Sequence, residues 1–136
     1  MEGVFLSEFD AATAFAQAWN RLDPSVFIPL LADDVHYASQ RVLEELETKE
    51  AVANHLIARM QRIATSVPSN SNFKVFASLG KTTTGSPDRN CVIIAQGDTE
   101  NIVTAILIKV ENSKIKRIDL CVPELLGVVC SGTYPA

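Results

Sequence analysis

The spacing of apolar residues predicts three helices in the first half of the chain. The first covers Phe5–Leu22, where apolar side chains recur at helical spacing and Ser7 is a suitable N-cap. The apolar positions are Phe5, Phe9, Ala12, Phe15, Ala16 and Trp19. A second, short helix over Pro24–Leu31 begins with proline in its first turn. The third begins after Thr48, a good N-cap residue, and ends before Pro68.

Alternation of apolar and polar residues predicts the strands. Asp33-Asp34 is expected to turn the chain into a strand over Val35–Gln40, whose odd and even positions point to opposite faces. The run Glu44–Glu47 is interpreted as a solvated approach to the third helix. Further strands are predicted at Phe73–Leu79, Cys91–Ala95, Ile102–Val110 and Ile115–Val122. The tail is expected to fray after Cys130.

One predicted strand is apolar on both faces. From Ile102 to Ile108 the side chains do not alternate, whereas a sheet with one solvated face alternates cleanly. One face is therefore expected to pack on the helices and the other on a second copy of the chain. This pattern predicts a homodimer formed through the sheet face.

Composition and charge describe one ordinary globular domain. The 136 residues can build a single core, and 47 % of them are hydrophobic. No repeat or linker divides residues 1–136. The net charge is −4, and the lysines and arginines are scattered, which leaves no electrostatic footprint for nucleic acid or an anionic membrane. We therefore expect neither as a partner.

The cysteines and the N-terminus indicate the compartment. Three cysteines without a CxxC pair argue against a disulfide framework or a structural zinc site. The N-terminal residues have no basic segment followed by a long apolar run, so we expect no signal peptide and a cytoplasmic protein. Since no metal-ligand spacing, phosphate loop or nucleophile motif occurs, neither a metal nor a cofactor is expected.

Three sequence segments carry a resemblance to a known family. They are Phe27–Val35 (FIPLLADDV), Glu47–Val52 (ETKEAV) and Asn112–Ile118 (NSKIKRI). Together with the order of elements, they resemble the nuclear-transport-factor-2-like (NTF2-like) superfamily, which includes SnoaL-like polyketide cyclases, ketosteroid isomerases and scytalone dehydratases. The resemblance covers nearly the whole chain. It implies a cone-shaped α+β barrel, with three N-terminal helices packed on a curved, mostly antiparallel sheet.

The catalytic pattern of ketosteroid isomerases is absent. In this sequence, its helix tyrosine falls on Phe15, its general-base aspartate on Ser39, and its protonated aspartate near Ile106. Such an isomerase needs a carboxylate to move the proton and acidic donors to hold the enolate. Phenylalanine, serine and isoleucine cannot supply these groups, so ketosteroid isomerase activity is excluded.

The resemblance also implies which residues face a pocket between the helices and the sheet. Tyr37, Ser39 and His55 are the candidate catalytic residues, since His55 has a pKa class suited to proton transfer near neutral pH. The candidate ligand-binding residues are Phe15, Trp19, Leu56, Thr104, Ile106, Ile108, Ile118 and Leu120. Because most of these are apolar, the pocket is expected to favour an apolar or aromatic small molecule.

Each candidate also has a purely structural interpretation. His55 can be a helix-surface histidine beside Arg59 and Arg62, and Tyr37 and Ser39 can be buried groups satisfied by the backbone. Trp19 can be plain core packing. Three further residues, His36, Asp119 and Cys121, are placed off the pocket. Asp119 is expected to pair with Arg117 on the outer face of the sheet, and Cys121 to be a small apolar residue.

Two functional hypotheses remain open. The first is a SnoaL-like protein that binds a small apolar or aromatic molecule, with general acid–base isomerase, cyclase or dehydratase activity as its catalytic form. The second is a non-catalytic dimeric interaction module with a residual pocket. The sequence leaves open whether the protein is an enzyme.

Overall fold

The computed structural model of the protein describes residues 6–40, 42–83, 89–123 and 127–136. Two α-helices, α1 (Glu8–Arg21) and α2 (Lys49–Ser66), pack on one sheet. Short 3₁₀ helices lie at Ile28–Leu30 and Ser71–Phe73. The strands are β1 (Leu31–Ser39), β2 (Val42–Glu47), β3 (Val75–Lys81), β4 (Asn90–Gln96), β5 (Ile102–Glu111), β6 (Lys114–Cys121) and β7 (Val129–Cys130).

Both α-helices begin directly after the N-cap residues that the sequence predicts, Ser7 and Thr48. The Ser7 side chain accepts a hydrogen bond from the Asp10 N–H at 3.0 Å, and the Asp10 carboxylate accepts one from the Ser7 N–H, which completes a capping box. Thr48 caps α2 by accepting from the N–H of Ala51 at 3.2 Å. Phe5, the predicted start of the first helix, lies outside the described residues.

The predicted second helix, Pro24–Leu31, is wrong. Residues Pro24–Leu31 form one turn, with the N–H groups of Phe27 and Ile28 both bonded to the Pro24 carbonyl, followed by the short 3₁₀ helix Ile28–Leu30. Pro29 has no N–H and its ring clashes with the preceding helical turn, so the helix cannot propagate past this point. The described residues therefore contain two α-helices rather than three.

The sheet is mixed and open. Its strand order is β2-β1-β6-β5-β4-β3-β7, in which β1 and β6 are parallel and all other neighbours are antiparallel. Register shifts mark bulges in the pairings of β1, β4–β5 and β5–β6. Bulges bend a strand and increase its twist, so the sheet curves around the helices. The predicted α+β class and mostly antiparallel sheet are confirmed, and the two edge strands do not close it.

Two loop predictions along the first strands are wrong. The run expected to be a solvated approach belongs to β2, where exposed Glu45 and Glu47 flank half-buried Leu46. This alternation is a strand pattern, and Leu46 pairs with Tyr37 of β1. Asp33 and Asp34 do not form a turn. They are exposed within β1, at the register shift between that strand and β6.

The C-terminal tail is docked rather than frayed. The Ser131 N–H donates to the Leu79 carbonyl, and the Leu79 N–H donates to the Thr133 carbonyl, each at 2.9 Å. Gly80 permits this approach, because a Cβ at that position would lie 2.6 Å from the Val129 carbonyl oxygen. The Asn20 side chain of α1 donates to the carbonyls of Ala77 and Pro135, which ties the helix to both β3 and the tail.

The core lies between the helices and one face of the sheet, called here the inner face. Phe15, Phe27 and Leu56 are fully buried there, and Phe15 packs on Phe27 with ring centroids 4.7 Å apart. Alternate residues of the strands join them: Val35, Ala77, Val92, Ile106, Ile108, Ile115 and Ile118. Among the described residues, neither α-helix is both long enough and apolar enough to span a lipid bilayer.

Candidate functional site

A cavity of about 530 Å³ opens between the inner face, α1 and α2. This volume is in the range of small-molecule sites. The candidate residues from the sequence that line it are Trp19, Tyr37, Ser39, His55, Thr104, Ile106 and Leu120. Other lining residues include Arg59, Arg62, Ser66, Phe73, Gln96 and Val103. The cavity therefore has an apolar interior, and a row of polar side chains from α2 lies along one side.

Four predicted ligand-binding residues do not line the cavity. Phe15, Leu56, Ile108 and Ile118 are at most 3 % exposed and pack in the core beneath it. Ile108 and Ile118 lie on the inner face of the sheet, and Phe15 and Leu56 lie on the helices packed against it. In the structure their contacts are those of core packing.

Tyr37 and His55 meet at the cavity wall. Their ring centroids are 5.1 Å apart, with β1 carrying the tyrosine and the second turn of α2 carrying the histidine. Tyr37 is only 6 % exposed, and burial raises its pKa to about 12 despite the opposing charge of Arg59. No hydrogen bond joins its hydroxyl to the part of the chain that the structure describes.

The pKa of His55 shifts in the opposite direction to that of Tyr37. The residue as a whole is exposed, but its ring packs on Tyr37. Loss of solvent around the ring, and then the charge of Arg59, lower the pKa of His55 below its usual value. At neutral pH the site therefore pairs an uncharged imidazole with a protonated phenol.

Trp19 and Ser39 complete the wall near this pair. Trp19 is 7 % exposed and stacks edge-on against Phe15 at 6.2 Å, as expected of a core residue, yet it also borders the cavity. Its buried Nε1–H has no hydrogen-bond partner among the described residues. Ser39 is half-buried on β1, two residues beyond Tyr37 and on the same strand face.

Of the polar row from α2, only His55 was proposed from the sequence as part of the site. His55, Arg59, Arg62 and Ser66 recur every three or four residues, so they form one stripe along the helix beside its apolar stripe. That spacing was visible in the sequence. It indicated a helix surface, but not that this surface borders a cavity, because the position of β3 and Phe73 opposite it depends on the tertiary fold.

Two of the residues placed off the pocket, His36 and Asp119, belong to a charged network on the outer face. Arg117 Nε donates to both carboxylate oxygens of Asp119 at 3.0 Å, which confirms the expected pairing. Arg117 also bonds Glu45, whose carboxylate contacts His36. The ligand atoms of His36, Glu45 and Glu47 lie within 4.8 Å of one another. This geometry could hold a cation, but the guanidinium of Arg117 already neutralises Glu45.

The cysteines have unreactive surroundings where they are buried. Burial raises the pKa of Cys91 to about 11, and burial followed by the nearby Asp119 raises that of Cys121. A raised thiol pKa leaves little thiolate at neutral pH. Cys121 therefore behaves as the small apolar residue that the sequence suggested, and the described residues contain no disulfide.

Solved structures with the same architecture are found, although the sequences are far apart. An uncharacterised cystatin-fold protein from Novosphingobium aromaticivorans superimposes with a TM-score of 0.59 and 18 % identity, covering 85 % of this chain and 97 % of that chain. An NTF2-like protein of unknown function from Cytophaga hutchinsonii gives a TM-score of 0.58 and 13 % identity, covering 92 % and 98 %. A candidate polyketide cyclase from Sinorhizobium meliloti gives 0.54 and 12 %, covering 82 % and 93 %.

These likenesses show that the chain has the NTF2-like fold, as the sequence resemblance implied. At such low identity they show the fold alone. No protein-family model matches the sequence, and no curated protein matches it significantly. What the cavity does must therefore be argued from its own residues.

Proposed function

We propose that this protein binds a small apolar or aromatic molecule in the cavity and catalyses general acid–base chemistry on it. The reaction class would be an isomerisation, cyclisation or dehydration of a cyclic compound. The observation that supports this most directly is the contact between His55 and Tyr37, 5.1 Å apart at the wall of an apolar cavity. The likeness to a candidate polyketide cyclase is compatible with this class.

The two residues suit complementary steps. A neutral His55 can take a proton from a carbon next to a substrate carbonyl, and its lowered pKa keeps it unprotonated at neutral pH. Tyr37, held protonated by burial, can donate a hydrogen bond to the carbonyl oxygen as negative charge develops there. Where a carbon–carbon double bond is conjugated with the resulting enolate, His55 returns the proton to the far carbon of that system, the double bond shifts, the carbonyl re-forms and the isomer results. Ser39 would position the same oxygen.

The first experiment identifies ligands and then follows the proton. Aromatic, steroid-like and polyketide-like compounds are screened by thermal shift, because a ligand that binds the native state raises the melting temperature. Compounds that bind are incubated with the protein in D₂O, and deuterium incorporation is measured by mass spectrometry. We expect exchange with the native protein, a loss of about a hundredfold with His55→Ala, and a smaller loss with Tyr37→Phe.

The other histidine provides the matched control. His36 lies on β1 but contacts Glu45 on the outer face, so His36→Ala is expected to leave exchange unchanged. Exchange by the native protein should be constant at neutral pH and fall only in acid, where His55 takes up a proton. Exchange that persists undiminished in His55→Ala would contradict the catalytic proposal.

A second candidate function is a non-catalytic dimeric module, with homodimerisation through the outer face. Phe76, Ile102 and Leu107 belong to that face by strand pairing and remain partly exposed in one chain. Sedimentation at micromolar concentration tests this candidate, and a monomer there would exclude it. The ligand screen separates the two candidates, because a non-catalytic dimeric module is expected to bind none of the compounds in its cavity.

A cytoplasmic location is also part of the proposal and rests on the sequence. The odd number of cysteines and the lack of a CxxC pair favour a reducing compartment. Cell fractionation followed by detection of the native protein tests this, and recovery in a secreted fraction would contradict it.

A further inference from the structure

The side chains of two arginines at the cavity have no polar partner among the residues that the structure describes. Arg59 and Arg62 lie one helical turn apart on α2, are exposed, and both border the cavity. The other arginines that the structure describes are all engaged: Arg21 and Arg89 donate to backbone carbonyls, and Arg117 pairs with Glu45 and Asp119. Neither the guanidinium of Arg59 nor that of Arg62 makes an ion pair or hydrogen bond with any described residue, although the Arg62 carbonyl accepts from the Ser66 hydroxyl within the helix.

The described residues that line the cavity include no acidic side chain that could pair with these arginines. No aspartate or glutamate is among the described residues that line it, although the chain as a whole carries a net charge of −4. Most of the other described lining residues are apolar, among them Trp19, Ile94 and Ile106. The site thus joins two environments, an apolar interior and a cationic side along α2.

A ligand that satisfies both environments must itself have two parts. We propose that the ligand of this cavity is an amphipathic carboxylic acid, with its ring-containing body against the apolar walls and its carboxylate held by Arg59 and Arg62. This inference rests on the proposed small-molecule function and names its substrate class. The planar fork of a guanidinium matches the two oxygens of a carboxylate, so arginine selects this group by geometry as well as by charge.

The position of the arginines adds a prediction about orientation. Arg59 is close enough to Tyr37 and His55 to affect the pKa of both groups. A carboxylate bound at Arg59 therefore leaves the adjoining part of the ligand beside the Tyr37–His55 contact. The arginines act as positioning residues, and the reacting carbon would be near the acid group rather than at the far end of the body.

The test compares each acid with its uncharged counterpart. The probes are naphthoate with naphthamide, indole-acetate with indole-acetamide, and cinnamate with cinnamamide, and naphthyl phosphate is added to separate phosphate from carboxylate. Dissociation constants are measured by calorimetry at low and at physiological salt. We expect each acid to bind the native protein about tenfold more tightly than its amide, with the difference reduced by salt.

Paired variants identify the source of that preference. Arg59→Gln/Arg62→Gln is expected to weaken the acids about tenfold and leave the amides unchanged. The matched control is Lys49→Gln/Lys81→Gln, which removes the same charge from residues that do not line the cavity and should preserve the preference. Circular dichroism and thermal melts of both double variants confirm that they are folded.

The outcomes separate this inference from the proposed function. If acids and amides bind equally, or if the control weakens the acids as much as the arginine variant does, the carboxylate assignment is overturned while ligand binding stands. Tighter binding of naphthyl phosphate than of naphthoate also overturns it. If no probe binds and the broader screen also finds no ligand, the proposed function itself fails.

Discussion

At the scale of single residues, the wall of the cavity controls the charge states of its polar groups. Tyr37 is buried among apolar neighbours, whereas His55 stands at its edge, and the same loss of solvent favours the uncharged form of each. The pair therefore needs no carboxylate to hold one proton donor and one proton acceptor side by side. This distinguishes the site from the isomerase pattern that Phe15, Ser39 and Ile106 lack.

The raised pKa of Tyr37 predicts an alkaline loss of stability. Its folded pKa of about 12 lies above the usual value near 10, so the unfolded state releases the proton first as pH rises. Stability contributed by the protonated form is present below about pH 10 and is lost as pH approaches 12. Between about pH 9 and pH 11 the native protein should lose about 1 kcal/mol more than Tyr37→Phe.

Urea unfolding at the two pH values measures this difference directly. The chain has only one other tyrosine, Tyr134, which both proteins retain, so its contribution cancels. An equal loss in the two proteins would show that the Tyr37 hydroxyl is solvated in the native state. The cavity wall would then be more open at this point than the structure shows.

At the scale of elements, Thr48 combines a favourable cap with an unfavourable backbone. Its hydroxyl accepts from the Ala51 N–H at the start of α2, but its φ of +87° and ψ of +144° lie in a region used almost solely by glycine. Thr48→Ala should destabilise the protein by about 1 kcal/mol, because the cap is lost and the strain stays. Thr48→Gly relieves the strain and should be at least as stable as the native protein.

The order of these two variants is the measurement that matters. Thermal or urea unfolding should rank Thr48→Gly above Thr48→Ala. Thr65→Ala, near the other end of α2, is the control, because its hydroxyl bonds a carbonyl within the helix and caps nothing. If glycine proves as destabilising as alanine, the backbone of Thr48 is not strained.

Elements that are specified by neighbouring residues could be predicted from the sequence. Elements that form only by pairing with a distant strand could not. Ser7 and Thr48 each bond an N–H three residues ahead, so these N-caps of α1 and α2 could be predicted from the neighbouring residues alone. Strand β2 has no stability of its own, and the pattern around Leu46 becomes a strand only through pairing with β1. For the helix predicted after Pro24, the opposite happened. The residues after Pro24 do form a first turn, but Pro29 prevents that turn from continuing as an α-helix.

At the scale of the whole molecule, the same distinction applies to the cavity. Strand parity was enough to assign residues such as Tyr37 and Ile106 to the inner face. Parity does not give depth, and Ile108 and Ile118 share that face but are buried in the core and do not line the cavity. The helical spacing of Arg59 and Arg62 shows only that they lie on the surface of α2. The sequence could not show that they border a cavity, because the cavity is formed by segments distant in sequence.

The outer face of the sheet carries the remaining prediction, the homodimer. Leu107 lies near the middle of β5, directly opposite Asp119 of β6, and is half-buried in one chain. If this face joins two copies, Leu107→Lys places two charges in the interface and should convert a dimer into a monomer. Within one chain the new lysine faces Asp119, an opposite charge across the strand pair, so the monomer should remain folded.

Sedimentation equilibrium at micromolar concentration compares the native protein, Leu107→Lys and Val26→Lys. We expect the native protein at twice its chain mass of 14.8 kDa and the Leu107 variant at that mass. Val26 is 65 % exposed and lies outside the sheet, so its lysine variant should remain a dimer. If the native protein is a monomer, or if Leu107→Lys is still a dimer, the outer face is not the dimer interface. Because the cavity opens on the inner face, the monomeric variant should still bind every ligand that the native protein binds.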